Sequence, residues 1–305
     1  MTSGNAAETP VKNSLSSKIL VGTEKGVFEN GKLHTERAPK TIYSFEEDET
    51  NPNAVYAATD KGAFLSADGG LNWYEFNDLE KTLEGAKVYQ IKSSKSQNKL
   101  FISVFKNREG AVYETRGAKN FFTLQKIFDA ANSAVYSLGL LKNELILGLG
   151  DGRLISYNLN TKELSHLASL GSPVISIFID DRIYAATKTK GIFVSSGDRF
   201  ANITQNSVKE IVLDNQKSIY IASMNQILKS SNLGRNWQTL PTISPPGSRI
   251  TAIETDRRGR LFYAAGKKIY QSLDKGKKWK VVLETKNNLT SLFITKNDRI
   301  IAAAG

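Results

Sequence analysis

Residues 66–76 read SADGGLNWYEF, and the order Ser66-x-Asp68-x-Gly70-x-x-Trp73 returns twice more. Ser272-x-Asp274-x-Gly276-x-x-Trp279 repeats it in full, and Ser230-x-Asn232-x-Gly234-x-x-Trp237 repeats it with Asn for Asp. These boxes hold all three tryptophans of the chain. Trp73 and Trp237 lie 164 residues apart and Trp237 and Trp279 lie 42 apart, so a unit of about 41 residues is implied, with weaker copies in the gaps.

Those copies are present. Before each box runs an apolar strand, a turn with Gly and a short second strand: NAVYAATDKGAFLSADGG, SIYIASMNQILKSSNLG and RLFYAAGKKIYQSLDKG. The same phrase without a good box occurs in RIYAATKTKGIFVSSGD, ELILGLGDGRLISYNLN, KLFISVFKNREGAVYETRG and KILVGTEKGVFENGK, which makes seven copies. Apolar runs suited to first strands stand ahead of them, from IYSFEED to LTSLFIT at 289–295. Four short strands per unit of about 40 residues define a β-propeller blade. The expected fold is therefore all-β, a seven-bladed propeller over residues 17–305 behind a flexible tail at 1–16.

The closing blade is expected to be shared between the chain ends, because the first copy lacks a first strand that LTSLFIT could supply. RIIAAAG at 299–305 also reads as a second strand and competes with KILVGT for one place. Either one of them lies outside the sheet or an incomplete eighth blade exists.

Each box falls where a third strand turns into a fourth. Asp68, Asn232 and Asp274 accept hydrogen bonds from turn N–H groups, Gly70, Gly234 and Gly276 tolerate positive φ, and the hydroxyls of Ser66, Ser230 and Ser272 bond the loop from the other side. Trp73, Trp237 and Trp279 are expected to pack on the blade's own turn. Recurrence in several units favours a part of the fold over a catalytic or calcium site, for which the ligand spacing is also missing.

The box resembles the Asp-box (BNR) repeat of sialidases, sortilin-type receptors, xyloglucanase-type glycosidases and the photosystem II stability and assembly factors. In size and layout the chain is most similar to the assembly factors, and that resemblance implies a non-enzymatic binding role. Sialidases carry an Arg-Ile-Pro stretch, which is absent here, and Arg37, Arg108, Arg116 and Arg153 stand in poorly comparable contexts. A glycosidase of another kind needs two carboxylates about 5–9.5 Å apart. Glu46, Glu47, Asp48 and Glu49, or Glu80 and Glu84, could provide them on loops, though they also read as solvated charge.

The chain has no cysteine and only two histidines, His34 and His166, so no thiol nucleophile, metal or cofactor is expected. No apolar run reaches the ~18 residues of a membrane helix. The start, MTSGNAAETPVKNS, lacks the apolar core of a signal peptide. It suits either a cytoplasmic chain or the tether of an exported or lipid-anchored one, and the second expectation is favoured.

Charge is concentrated. Of a formal net charge of +11, six units lie between Thr251 and Lys280, where nine basic residues face three acidic ones. Alternating strands put the first-to-second loop DRRGR and the third-to-fourth loop DKGKK at one end of the blade, so Arg257, Arg258, Arg260, Lys275, Lys277 and Lys278 are expected on one face. The acidic run 46–49 is expected on that face about two blades away. Such a basic patch suits a protein or protein complex, with an anionic membrane surface or a glycan as alternatives, bound by a monomer. Nucleic acid fits least, for want of a binding motif. The plainer reading is a lysine-rich turn that keeps the molecule soluble.

Overall fold

The second strands of the repeats are apolar along their whole length, VYAAT at Val55–Thr59, IYAAT at Ile183–Thr187 and LFYAA at Leu261–Ala265, and every residue in them is buried. A strand with only one covered face would alternate; these have sheets packed on both faces. Successive residues accordingly enter different cores: Val55 and Ala57 join one apolar cluster, Tyr56 and Ala58 the next. In place of one central core, seven such clusters lie between neighbouring sheets among the described residues.

The computed structural model describes residues 19–23, 26–29, 32–35, 41–118 and 121–304, with strands alone given before residue 41. The tail expected at 1–16 lies outside the described residues. Six antiparallel four-stranded sheets, here blades 1 to 6, occupy residues 42–76, 87–131, 135–169, 174–204, 210–240 and 250–284. The first strands of successive sheets adjoin, and Leu289–Ile294 adjoins Ile42–Glu47, which closes the ring into a β-propeller.

The closing sheet is different. It has five strands, in the order Leu289–Ile294, Ile300–Ala304, Ile19–Thr23, Gly26–Glu29, Lys32–Thr35. Both competitors for the second-strand place are thus in one sheet, which corrects the expectation that one lies outside or begins an eighth blade. Their ladder is parallel, Leu20 opposite Ile301 and Val21 opposite Ala302, because two second strands run the same way around the ring.

Near the axis the first strands of blades 1 to 4, blade 6 and the closing sheet carry a register irregularity at equivalent positions, as between Ile42 and Ser44 or Val88 and Gln90. An extra residue there bends the strand and increases its twist where the sheets converge.

The boxes close the third-to-fourth turns of blades 1, 5 and 6. Ser66 Oγ donates to Asp68 Oδ1 (2.8 Å) and accepts the Gly70 N–H (2.7 Å), while Asp68 Oδ1 also accepts the N–H groups of Leu71 (3.0 Å) and Asn72 (2.9 Å). Ser230 with Asn232 and Ser272 with Asp274 repeat the arrangement, and Gly70, Gly234 and Gly276 have φ of 100°, 86° and 87°. The indoles differ from expectation. Trp73 donates to its own turn at the Gly70 carbonyl (2.9 Å), but Trp237 donates back to Ile203 (2.9 Å) and Trp279 to Pro241 (2.7 Å). Ile203 belongs to blade 4 and Pro241 follows blade 5, so two of the three indoles latch a blade to the chain before it.

Burial alone would raise the Asp68 carboxyl, but the hydrogen bonds from Asn72, Ser66 and Leu71 outweigh it and hold the group below its ordinary range. Asp68→Ala is expected to cost about 2 kcal/mol, and Asp68→Asn, which keeps an acceptor as Asn232 does in blade 5, about 1 kcal/mol or less. A depressed carboxyl contributes stability above its unfolded pKa and loses it as pH falls through the folded value. The difference in melting temperature between wild type and Asp68→Ala should therefore narrow on acidification; a constant difference would contradict the charged hydrogen bonds.

Candidate functional site

The first-to-second and third-to-fourth loops emerge at the same end of the disc, and in blade 6 they hold the basic residues. Asp256, buried, accepts the N–H groups of Arg258 (3.0 Å) and Arg260 (2.8 Å) through Oδ1 and the Arg260 guanidinium through Oδ2. The Arg260 side chain is only 14% exposed and also reaches Asp298 of the closing sheet (3.7 Å). It is a strut under the loop. Arg258 pairs with Asp298 at 2.9 Å while remaining 64% exposed, and Lys275 Nζ donates to Gln216 of blade 5.

Arg257, Lys277 and Lys278 are exposed, and among the described residues none of the three has an ion-pair partner. Crowding of like charge is visible on the neighbouring blade. The Lys229 ammonium, stacked over Tyr220, is lowered first by burial and then by Lys275 and Lys277, against the opposing effect of Asp214.

The acidic run at 46–49 holds blades together. Glu46 accepts Lys92 Nζ (2.8 Å) and the Ser93 N–H (3.0 Å), and Glu49 accepts the Lys95 N–H (2.6 Å), all on blade 2. Glu47 reaches the other way to the Lys296 N–H of the closing sheet (2.7 Å). Asp48 accepts the N–H groups of Thr50 and Asn51 and the Tyr56 hydroxyl (3.1 Å). The solvated-charge reading is thereby corrected for Glu46, Glu47 and Asp48, whereas Glu49 is exposed. Glu80 and Glu84 are exposed, and Glu84 meets only Lys81, at 3.8 Å.

The residues that the sequence did not single out lie on the innermost strands. Glu210 of blade 5 accepts the Ile253 N–H of blade 6 (2.8 Å), and Glu254 comes directly after it on that strand. Burial pushes the Glu210 carboxyl up to about 7; Glu254 is raised well above its ordinary value by burial and then by Glu210, with Lys92 opposing. The available signal was an acid within otherwise apolar first strands, VKEIVLD and ITAIETD. Toward the opposite mouth, Tyr43, Tyr89 and Tyr136 of blades 1 to 3 form a row with ring centroids 4.9 and 4.8 Å apart. A cavity of about 280 Å³ between blades 1 and 2 is lined by Asp48, Tyr56, Phe76, Ser93, Lys99 and Phe122, among others. No cluster of three or more metal-ligating side chains occurs among the described residues.

Fold and strand order define a β-propeller with repeated hairpin blades. Solved structures bear this out at low sequence identity. YCF48 from Cyanidioschyzon merolae superposes with a TM-score of 0.69 and 14% identity over 86% of this chain and 92% of its own. A structure of YCF48 bound to D1 peptide gives 0.70 and 11% identity over 97% and 96%. The GH74 xyloglucanase from Xanthomonas campestris gives 0.68 and 13% over 87% of this chain, and the extracellular domain of BT4673 from B. thetaiotaomicron gives 0.65 and 14%, also over 87%. The chain spans 54% of that xyloglucanase and 37% of the BT4673 domain. No family model and no curated protein matches the chain.

Proposed function

We propose that the chain is a non-enzymatic binding propeller that offers the basic face of blade 6 to an acidic surface of a protein partner. The closing sheet counts as its seventh blade, and the boxes serve the fold. One observation carries the reading: the exposed cations Arg257, Lys277 and Lys278 gather on two loops of one blade, while the acids of the same face are consumed in bonds between blades. The likeness to YCF48 over most of both chains, including a peptide-bound form, supports a protein partner. Charge of one sign on a rigid loop pair speeds encounter and orients it.

The test is capture of partner from native lysate, membranes included, by wild type and by Arg257→Glu/Lys277→Glu/Lys278→Glu. Capture should fall at least tenfold and should weaken with salt for wild type, while the melting temperature moves by no more than about 2 °C because the three side chains are exposed. Arg260 is left out of this variant because reversing it would bury an unpaired charge beside Asp256. Equal capture by both proteins would remove the patch from the account.

A second reading, a carbohydrate-active hydrolase, rests on Glu210 and Glu254. A carboxyl held protonated near neutrality is the form in which a glycosidase acid works. It requires hydrolysis of a polysaccharide such as xyloglucan that Glu254→Gln abolishes, and a protein that releases no reducing ends rules it out.

A further inference from the structure

The closing sheet holds two second strands where every other blade holds one. Among the described residues, the pairing of Ile19–Thr23 with Ile300–Ala304 is the only parallel ladder. Its direction is informative. Ile300–Ala304 runs antiparallel to the first strand Leu289–Ile294, so Ile19–Thr23, parallel to it, is antiparallel to that first strand as well. It already has the direction that a second strand requires and stands one strand too far out.

The sequence that follows the N-terminal strand also matches the turn sequence that follows the second strands of other blades. In blades 1 and 4 the second strand ends on a threonine whose Oγ1 donates to the carbonyl of the glycine that opens the third strand, Thr59 to Gly62 and Thr187 to Gly191, both 2.8 Å. Thr59-Asp60-Lys61-Gly62 has its counterpart in Thr23-Glu24-Lys25-Gly26, and strands Gly26–Glu29 and Lys32–Thr35 come next as third and fourth. Strands Ile19–Thr23, Gly26–Glu29 and Lys32–Thr35 supply second, third and fourth strands, and Leu289–Ile294 supplies a first.

We propose that Ile300–Ala304 is a removable insert in the closing blade, and that this blade has a second, four-stranded state in which residues 19–35 move inward by one strand and pair directly with Leu289–Ile294. The register defines the move. Leu292 and Val21 both lie opposite Ala302, so on removal of the insert Val21 faces Leu292. Burial of all five residues of Ile300–Ala304 favours the five-stranded state. The parallel pairing that joins the two units is the weaker kind, which makes it the seam at which they part.

The chain has no cysteine, so engineered disulfides report the state directly. Leu20→Cys/Ile301→Cys joins registered neighbours of the five-stranded sheet, within the ~4.4–6.8 Å Cα separation of a disulfide. Val21→Cys/Leu292→Cys spans two strand spacings, about 9.6 Å, in that sheet and only one in the four-stranded state. In the otherwise unchanged full chain the first pair should oxidise fully and the second remain at least 90% reduced. Adding Ala302→Pro, which removes a ladder hydrogen bond and breaks the insert, should close the second pair in most molecules while the strand signal and a cooperative melt persist.

A second pair that stays reduced in a folded Ala302→Pro chain overturns the proposal. Ile301→Lys, which expels the insert by burying a charge, is the independent variant. If both insert variants lose the folded state, no substitute strand exists and the proposal is equally overturned.

Discussion

Gly191→Ala is expected to destabilise the propeller by on the order of 3–4 kcal/mol and to lower its melting temperature by roughly 6 °C. Gly191 opens the third strand of blade 4 with φ of 76°, where a side chain is strained. A Cβ there would also overlap the Thr204 carbonyl, a backbone group of the outermost strand Arg199–Thr204 that has no freedom to rotate aside. Both strands would have to separate, and the Thr187 hydrogen bond to the Gly191 carbonyl would go with them. Gly197 is the control. Its φ is 60°, and nothing lies within 4 Å of its added Cβ, so Gly197→Ala should cost only about 1 kcal/mol. Equal melting temperatures for the two variants would show that the overlap is relieved without cost.

That contrast marks the boundary between what the sequence reveals and what it conceals. The forty-residue spacing of Ser66, Asp68, Gly70 and Trp73 with their counterparts exposes the blade, because turn chemistry and strand period are local. Contacts between blades join residues some 40 positions apart, or 249 where the chain ends meet at Glu47 and Lys296, and depend on register. Nothing in EEDE distinguishes solvated charge from Glu46 on Ser93 or Glu47 on Lys296. Arg260 reads like Arg257 until its loop is folded over the buried Asp256. The back-reaching bonds of Trp237 and Trp279 are hidden for the same reason, as is the coexistence of Ile19–Thr23 and Ile300–Ala304 in one sheet.

The second large effect is a loss of stability as pH rises. Glu210 and Glu254 have raised carboxyl pKa values in the folded protein, so the fold binds protons that the unfolded chain, titrating near 4.5, has released. For a raised acid the sign is fixed: the stability of the fold falls as pH climbs from the unfolded value through the folded one, and the whole penalty applies above that. For Glu210 the window runs from about 4.5 to about 7, and the raised Glu254 carboxyl adds to the loss in the same direction. Moving a carboxyl that far is worth on the order of 3 kcal/mol. Lys209 acts favourably on Glu210 and Lys92 on Glu254, but neither cancels the cost of burial.

The melting temperature of wild type should therefore drop by roughly 5–10 °C between about pH 5 and about pH 8. Glu254→Gln removes the repelling charge and should melt above wild type at the alkaline end while matching it at the acid end. A flat wild-type profile, or a Glu254→Gln protein destabilised equally at both, would refute the raised carboxyls of the pair.

The placement of the indoles makes intrinsic fluorescence a regional probe. Trp73 sits with Phe45 and Phe293 where the closing sheet meets blade 1, Trp237 reports on the junction of blades 4 and 5, and Trp279 on that of blades 5 and 6. Blades 2 and 3 contain no tryptophan, so that arc of the ring is optically silent. If it opened first on heating, circular dichroism would register the event before emission moved, and the lag between the two signals would give the order in which the ring comes apart.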